Sequence, residues 1–423
     1  MFSKTKLKNG LTLITIPVPQ LDSITTMVAV GAGSRYETKR ISGISHFLEH
    51  MFFKGSKKFP TAEMISTVVD GIGAINNAAT SKEWTYYWIK SSAKHSELAL
   101  DIISSMLKES LMEKQEIERE KGVIIEEIRM RKDNPGIYVF DLYEILQFGD
   151  QPLGYDTAGE EKIIQSLNRS DFINYVDSLY APENMVLVLA GKLPSNVKKL
   201  AEKYFTDLPK RSQHKFVPYK KLKQTKSRIN IFYKKNDQAN LVLGVEGYDR
   251  YDKRKYAARV LGAILGEGMS SRLFIQVRER RGLAYHVNAG HDSYIDTGAF
   301  AVYAGLKLEK VEEGLGVILA ELDRITKEKV TEEELKKAKE MIRGRLAIRG
   351  ESTNFLAEYF GLDFVLDRKV ETFEEYLKKI DQISPGDIQK VAKELFRKER
   401  YNLQVIGPFK SDTQFKKILI GHQ

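Results

Sequence analysis

Two of the seven histidines in this 423-residue chain fall within five consecutive positions, His46-Phe47-Leu48-Glu49-His50. On a helix, positions four apart share one face, so both imidazoles can reach a single divalent ion. Glu49, adjacent to the second histidine, is placed to take a proton from a water on that ion. Two nitrogens and a base in this pattern point to metal-assisted hydrolysis. The flanking Phe47, Leu48, Met51, Phe52 and Phe53 are apolar. Polar side chains set in that much apolar surface need hydrogen bonds or a metal, which two ordinary histidines on a solvated helix would not. The chain has no cysteine, which removes thiolate ligands, thiol nucleophiles, iron–sulfur clusters and disulfides. A catalytic zinc ordinarily takes three protein ligands and a water, so one more oxygen or nitrogen must come from elsewhere.

The acidic segment Glu116 to Arg131 offers candidates at Glu116, Glu118, Glu120, Glu126 and Glu127. Taking Val123, Ile124 and Ile128 as the buried stripe puts Glu120 and Glu127, two helical turns apart, on one side of it and turns Glu126 about 100° toward solvent. Periodicity therefore favours Glu127, with Glu120 beneath it.

These side chains need a scaffold, and the chain reads as a duplicated one. Strand patterns at Leu11–Pro17 and Ile24–Val30 precede a helix from about Gly43, and strands at Arg228–Tyr233 and Leu241–Val245 precede a helix over Lys253–Leu265. Met51 matches Met269 and Glu113 matches Thr331 at one common offset along the chain. Further strands at Ala78–Lys90, Met185–Leu193, Ala299–Gly305 and Tyr401–Ile406, with helices at Leu98–Lys108, Val311–Thr326 and Glu374–Ile383, complete the pattern. The expected fold class is α+β: two homologous sandwich-like halves, each a mostly antiparallel sheet with helices on one face. Between them, Pro209 to Arg228 carries eight Lys and Arg, two prolines and no acid, the composition of a linker. The expected division is residues 1–208, a basic linker at 209–228, and 229–423. The common offset carries His46, His50 and Glu127 onto Ile264, Gly268 and Arg345, none of which ligates zinc, so one metal per chain is expected.

Composition narrows the class. Lys and Arg number 67 against 57 acids, a net charge of +10 that over this length implies solvated surface and no nucleic-acid partner. Apolar runs fall short of the ~20 residues that span a bilayer, and no secretory leader is visible, so a cytoplasmic protein without a membrane partner is expected.

The stretches SGISHFLEHMFFKGSKKFP, GAINNAATSKEWTYY and EIEREKGVIIEEIRMRKDNP, in this order and spacing, resemble the pitrilysin/insulinase zinc metallopeptidases, the inverzincins, and in particular the short-chain branch that includes the mitochondrial processing peptidase. The resemblance covers nearly the whole chain. It implies Zn²⁺ on His46, His50 and Glu127, the last well downstream of the histidine pair, with Glu49 as general base and Glu120 as an auxiliary acid. It implies that the strand holding Asn77, Ala78 and Thr80 pairs with substrate backbone, and Ala79 stands where relatives often carry Tyr. From RERRGLAYHV it implies roles for Arg278 and Tyr285 as donors to the substrate carbonyl, on a metal-free second half that walls a chamber. The expected function is hydrolysis of extended peptides by a zinc endopeptidase, with a homodimer the simplest assembly. Two other readings stand beside it: a non-catalytic chamber subunit of a hetero-oligomer, and a zinc amidase acting on a small molecule.

Overall fold

Apolar residues that alternate or run unbroken over several positions become strands, and in this chain they assemble into two sheets of matching topology. The computed structural model describes residues 2–211 and 214–421. Ser212 and Gln213 of the expected linker, and His422 near the end, lie outside the described residues. The first sheet contains β1 (Ser3–Lys6), β2 (Thr12–Pro17), β3 (Ser23–Val30), β4 (Ile75–Thr80), β5 (Thr85–Ser92) and β6 (Met185–Gly191) in the order β1-β2-β6-β3-β5-β4. The second contains β7 (Arg228–Tyr233), β8 (Gln238–Glu246), β9 (Ala284–Ser293), β10 (Gly298–Lys307) and β11 (Asn402–Gly407) in the order β7-β11-β8-β10-β9. Leaving β1 aside, the two orders correspond strand for strand. Each sheet is antiparallel except for one pair, β2 with β6 and β7 with β11, which run parallel because the late strand of each half inserts beside the first.

Helices α1 (Ile44–Phe52), α2 (Ala62–Gly71), α3 (Ser96–Glu109), α4 (Lys114–Asp133), α5 (Pro135–Phe148), α6 (Glu161–Ser166), α7 (Arg169–Leu179) and α8 (Val197–Phe205) follow in the first half. The second half supplies α9 (Arg254–Gly266), α10 (Val311–Lys327), α11 (Glu332–Arg349), α12 (Thr353–Asp367), α13 (Phe373–Asp381), α14 (Pro385–Leu395) and α15 (Thr413–Gly421). Among the described residues no helix is long and apolar enough to cross a membrane.

Whereas the expected division runs in chain order, the compact units are discontinuous in sequence. Unit 1 takes the chain up to Arg129, then Tyr155–Val217 and Ala347–Thr372; unit 2 takes Met130–Gly154, Pro218–Leu346 and everything from Phe373 onward. Helix α5, from the first half of the sequence, thus belongs with the second sheet, and α12, from the second half, with the first. Their compositions explain both the placement and why periodicity does not reveal them. IYVFDLYEIL and FLAEYFGLDFVL are apolar nearly all round, so neither shows a stripe, and a helix of that kind is stable only when covered.

Helices therefore cover both faces of each sheet's centre, and not one face as the sequence suggests. In unit 1, Ile24, Val28 and Val30 of β3 join the core that holds α1 and α3. On the opposite face Gly361 of α12 comes so close that a Cβ there would lie 3.0 Å from Val188 Cγ2. In unit 2, Leu241, Leu243 and Val245 face the main core, while Val242 packs with Val139 and Tyr143 of α5. A Cβ on Gly244 would fall 2.0 Å from the Tyr143 hydroxyl, so the strand admits no side chain there. The segment expected as one strand over 78–90 is a hairpin, β4 and β5 paired from Ile75 with Lys90 to Thr80 with Thr85.

Candidate metal centre

Helix α1 is amphipathic in the simplest way: Ile44, Phe47, Leu48, Met51 and Phe52 are buried and set its rotation, which turns His46, Glu49 and His50 to the other side. On α4 the buried residues are Ile117, Glu120, Ile124, Ile125 and Ile128. Val123, expected in that stripe, is 48% exposed. The stripe is rotated by about one residue because the acid Glu120, at 2% exposure, occupies a core-facing position that hydropathy alone assigns to an apolar residue. Glu126 points outward and pairs with Arg129.

Two remote stretches converge here. His46 Nε2 lies 3.5 Å from Glu127 Oε1, and His50 Nε2 lies 3.7 Å from Glu127 Oε2. One atom from each of the three residues can be chosen so that all lie within 4.8 Å of one another. Both contacts are longer than ordinary hydrogen bonds. They approach the ~3.3 Å that separates ligands at ~2.0–2.1 Å on a tetrahedral ion, and two imidazoles with a carboxylate are a donor set that zinc takes. The residues present therefore fit a divalent cation.

A second layer orients them. His50 Nδ1 is 2.9 Å from Glu120 Oε1, and Lys54 Nζ is 2.6 Å from Glu120 Oε2. With Nδ1–H donated to the carboxylate, Nε2 carries the lone pair that a metal requires. Burial raises the Glu120 pKa, but the hydrogen bonds from His50 and Lys54 outweigh it and hold the carboxyl below its usual range. Lys54 has no counterpart in the sequence reading; a cation one helical turn past His50 was the available signal.

The base is held too. The Thr80 hydroxyl donates to Glu49 Oε2 at 2.6 Å, so Thr80, expected only as part of a substrate strand, touches the acid directly. Thr85, at the end of the same hairpin, donates to the Ala32 carbonyl at 2.9 Å. Tyr86 on β5 donates to Glu358 of α12 at 3.2 Å; burial, then Glu358 and Glu49 nearby, raise its pKa and keep the phenol protonated. Sequence reasoning missed Glu358 because α12 itself was not legible.

Asn77 and Ala78 sit on β4, which forms the outer edge of the first sheet and pairs with β5 alone. Ile75, Asn76 and Asn77 are exposed, Ala78 is buried, and Thr80 is half-buried. Arg278 and Tyr285 belong to unit 2. Arg278 lies in a π-helical turn, Phe274–Glu279, and its guanidinium stands 4.8 Å from the Phe274 ring centre and 5.1 Å from that of Tyr285. Tyr285, on edge strand β9, is 75% exposed.

Comparison with known proteins adds the following. Residues 13–161 match the family model described as insulinase (peptidase family M16), and residues 166–342 match the model described as the peptidase M16 inactive domain. A Bacillus subtilis chain described as an uncharacterized zinc protease is 34% identical over 408 residues, covering 96% of this chain and 98% of the relative. A Rickettsia bellii chain with the same description is 36% identical over 409 residues, with 96% and 98% covered. The solved structure of a protease from Helicobacter pylori matches with a TM-score of 0.91 at 25% identity, over 96% of this chain and 99% of that one.

Proposed function

The chain belongs to the insulinase family of peptidases, and from that premise we propose that it is a zinc-dependent endopeptidase acting on extended peptides, with its single metal on His46, His50 and Glu127. The observation that carries this reading is the convergence of two imidazoles from α1 and a carboxylate from α4 beside an acid, Glu49, that is not itself one of the three. A zinc ion held there would supply a Lewis acid and lower the pKa of a bound water toward ~7.

The remaining chemistry belongs to the side chains. With Oε2 of Glu49 engaged by Thr80, the other oxygen takes the proton of the attacking water and later returns it to the departing amine. Glu120 and Lys54 keep His50 in one tautomer and one ring orientation. The open edge of β4 accepts substrate backbone as an added strand, which requires an extended segment and disfavours tightly folded proteins. On the family resemblance alone, Arg278 and Tyr285 are assigned as donors to the carbonyl oxygen as it becomes an oxyanion. Removal of one such donor is expected to cost ~10²–10³ in kcat.

The deciding experiment measures zinc content and cleavage of an unstructured peptide in wild type and in Glu49→Gln. The variant should retain one zinc per chain while cleavage falls ~10²–10⁴-fold. Cleavage at the wild-type rate would sink the assignment of Glu49, and a purified wild type with neither zinc nor activity would make the chain a scaffold subunit.

A further inference from the structure

The short helix α1 carries His46, Glu49 and His50, yet its amino end has no local cap. Gly43 stands at the N-cap with φ +93°, and a Cβ there would lie 2.7 Å from the Ala158 carbonyl oxygen and 2.8 Å from Gly159 Cα. Both the backbone conformation and the space forbid the Ser, Thr, Asp or Asn that ordinarily satisfies the first N–H groups of a helix. A carboxylate from further upstream does so instead. Glu37, at 2% exposure, accepts the Gly43 N–H on Oε2 at 2.7 Å and the Ser45 N–H on Oε1 at 2.8 Å; the Ser45 hydroxyl also donates to Oε1. The Ser45 hydroxyl is 2.7 Å from that of Tyr175 on α7, which donates to the Gly33 carbonyl at 3.0 Å.

A buried carboxylate is a costly way to cap a helix. Burial pushes Glu37 up to about 7 despite the three donors that favour its ionised form. The compensation is rigidity: two oxygens fix two backbone N–H vectors and a hydroxyl in the turn immediately before His46. The far end of the same short helix is tied through His50 to Glu120 and Lys54. Between those anchors, little rotation or tilt is left to the two imidazoles.

We propose that Glu37 is a positioning residue for the metal, its carboxylate setting the first turn of α1 and thereby the distance of His46 from Glu127. The proposal rests on the zinc reading above. It is tested on the full chain by competition for zinc against a chromophoric chelator, at a temperature where circular dichroism shows every variant folded. Glu37→Gln, which keeps an acceptor for Ser45 but turns an amide NH₂ toward the Gly43 N–H, should weaken zinc binding about 10-fold, and Glu37→Ala about 100-fold. The comparison variant is Leu200→Ala on α8 in the same unit. It should lower the melting temperature and leave zinc affinity at the wild-type value. Folded Glu37 variants with wild-type affinity would overturn the proposal; if Glu37→Ala does not fold, Glu37→Gln decides. Wild type that binds no zinc would overturn the zinc reading and this proposal with it, whereas wild type that binds it while both Glu37 variants match it overturns this proposal alone.

Discussion

The His46, His50 and Glu127 cluster of unit 1 has a sequence counterpart in unit 2 that differs in side chains and in backbone, since α1 carries Glu49 and His50 whereas α9 ends at Gly266, just before Glu267 and Gly268. Helix α11 follows α4 at the same offset that pairs Met51 with Met269, and α12 follows α5 at that offset too. In this register Glu49 corresponds to Glu267, so the acid is retained, while His46, His50 and Glu127 become Ile264, Gly268 and Arg345. In unit 2 the same positions again come together. Arg345 Nη1 lies 2.8 Å from Glu267 Oε2, a Cβ on Gly268 would meet Arg345 Nη2 at 3.3 Å, and Arg259 also pairs with Glu267. A guanidinium from the later helix faces the retained acid where, in unit 1, a carboxylate faces two imidazoles. The difference teaches that the duplicated fold brings the two segments together, while the side chains they carry and the point where the first helix stops set what chemistry the junction can do. The register is not uniform: β8 begins earlier than its match to β3 would place it, and α9 begins earlier still relative to α1. α9 is therefore longer at its start, and none of its residues is His, Asp or Glu.

The largest effect should come from treating corresponding positions alike. Glu127→Ala should remove stoichiometric zinc and lower kcat/KM by at least ~10³-fold, several kcal/mol of lost transition-state stabilisation. Arg345→Ala should leave both within about threefold. Equal losses in the two variants, read by metal analysis and peptide cleavage, would break the comparison.

Packing gives the next contrast. Gly244→Ala forces a methyl into the Tyr143 hydroxyl and should destabilise unit 2 by ~1–3 kcal/mol. Gly361→Ala meets, as its nearest neighbours, the Val188 and Met27 side chains at 3.0 Å and 3.7 Å and then the Ala29 methyl, and lies in a helix, where Ala is favoured; it should change stability by less than ~1 kcal/mol. Urea titrations of the two variants would show whether α5 is seated more tightly on its sheet than α12.

The smallest effect concerns the ion pair itself. Arg345 is 46% exposed and Glu267 22%, so solvent screens their attraction. A double-mutant cycle with Arg345→Met and Glu267→Gln should return a coupling of ~0.2–1 kcal/mol that shrinks in salt. A coupling of several kcal/mol would mean that the guanidinium has taken over a structural task comparable to that of a metal.

The elements with strong periodicity were legible in advance. Strands β2, β3, β6, β7, β8, β10 and β11, and helices α1, α3, α9, α10 and α13, lie where the alternation of apolar residues places them. The grouping of His46, His50 and Glu127 was legible as well, because one-turn spacing on α1 and two-turn spacing along α4 are local geometry. Helices α5 and α12 were not, since a helix that is apolar on every side carries no period, although Asn134-Pro135 and Ser352 mark their starts as caps. Glu358 was lost with α12, whereas Glu37 was missed for a different reason: its role depends on how the loop before α1 folds back onto that helix.

What the sequence determined by itself is the chemistry on offer: two imidazoles one turn apart, an acid beside them, a carboxylate far downstream on a second helix, no thiol, and a second copy without ligands. Each follows from residue type and helical spacing, which need no knowledge of what lies across the fold. Only the tertiary structure decided which half of the chain covers which sheet, which acid faces the core, and which buried carboxylate closes the start of α1. Those choices depend on burial, and burial is a property of surfaces meeting from distant parts of the chain.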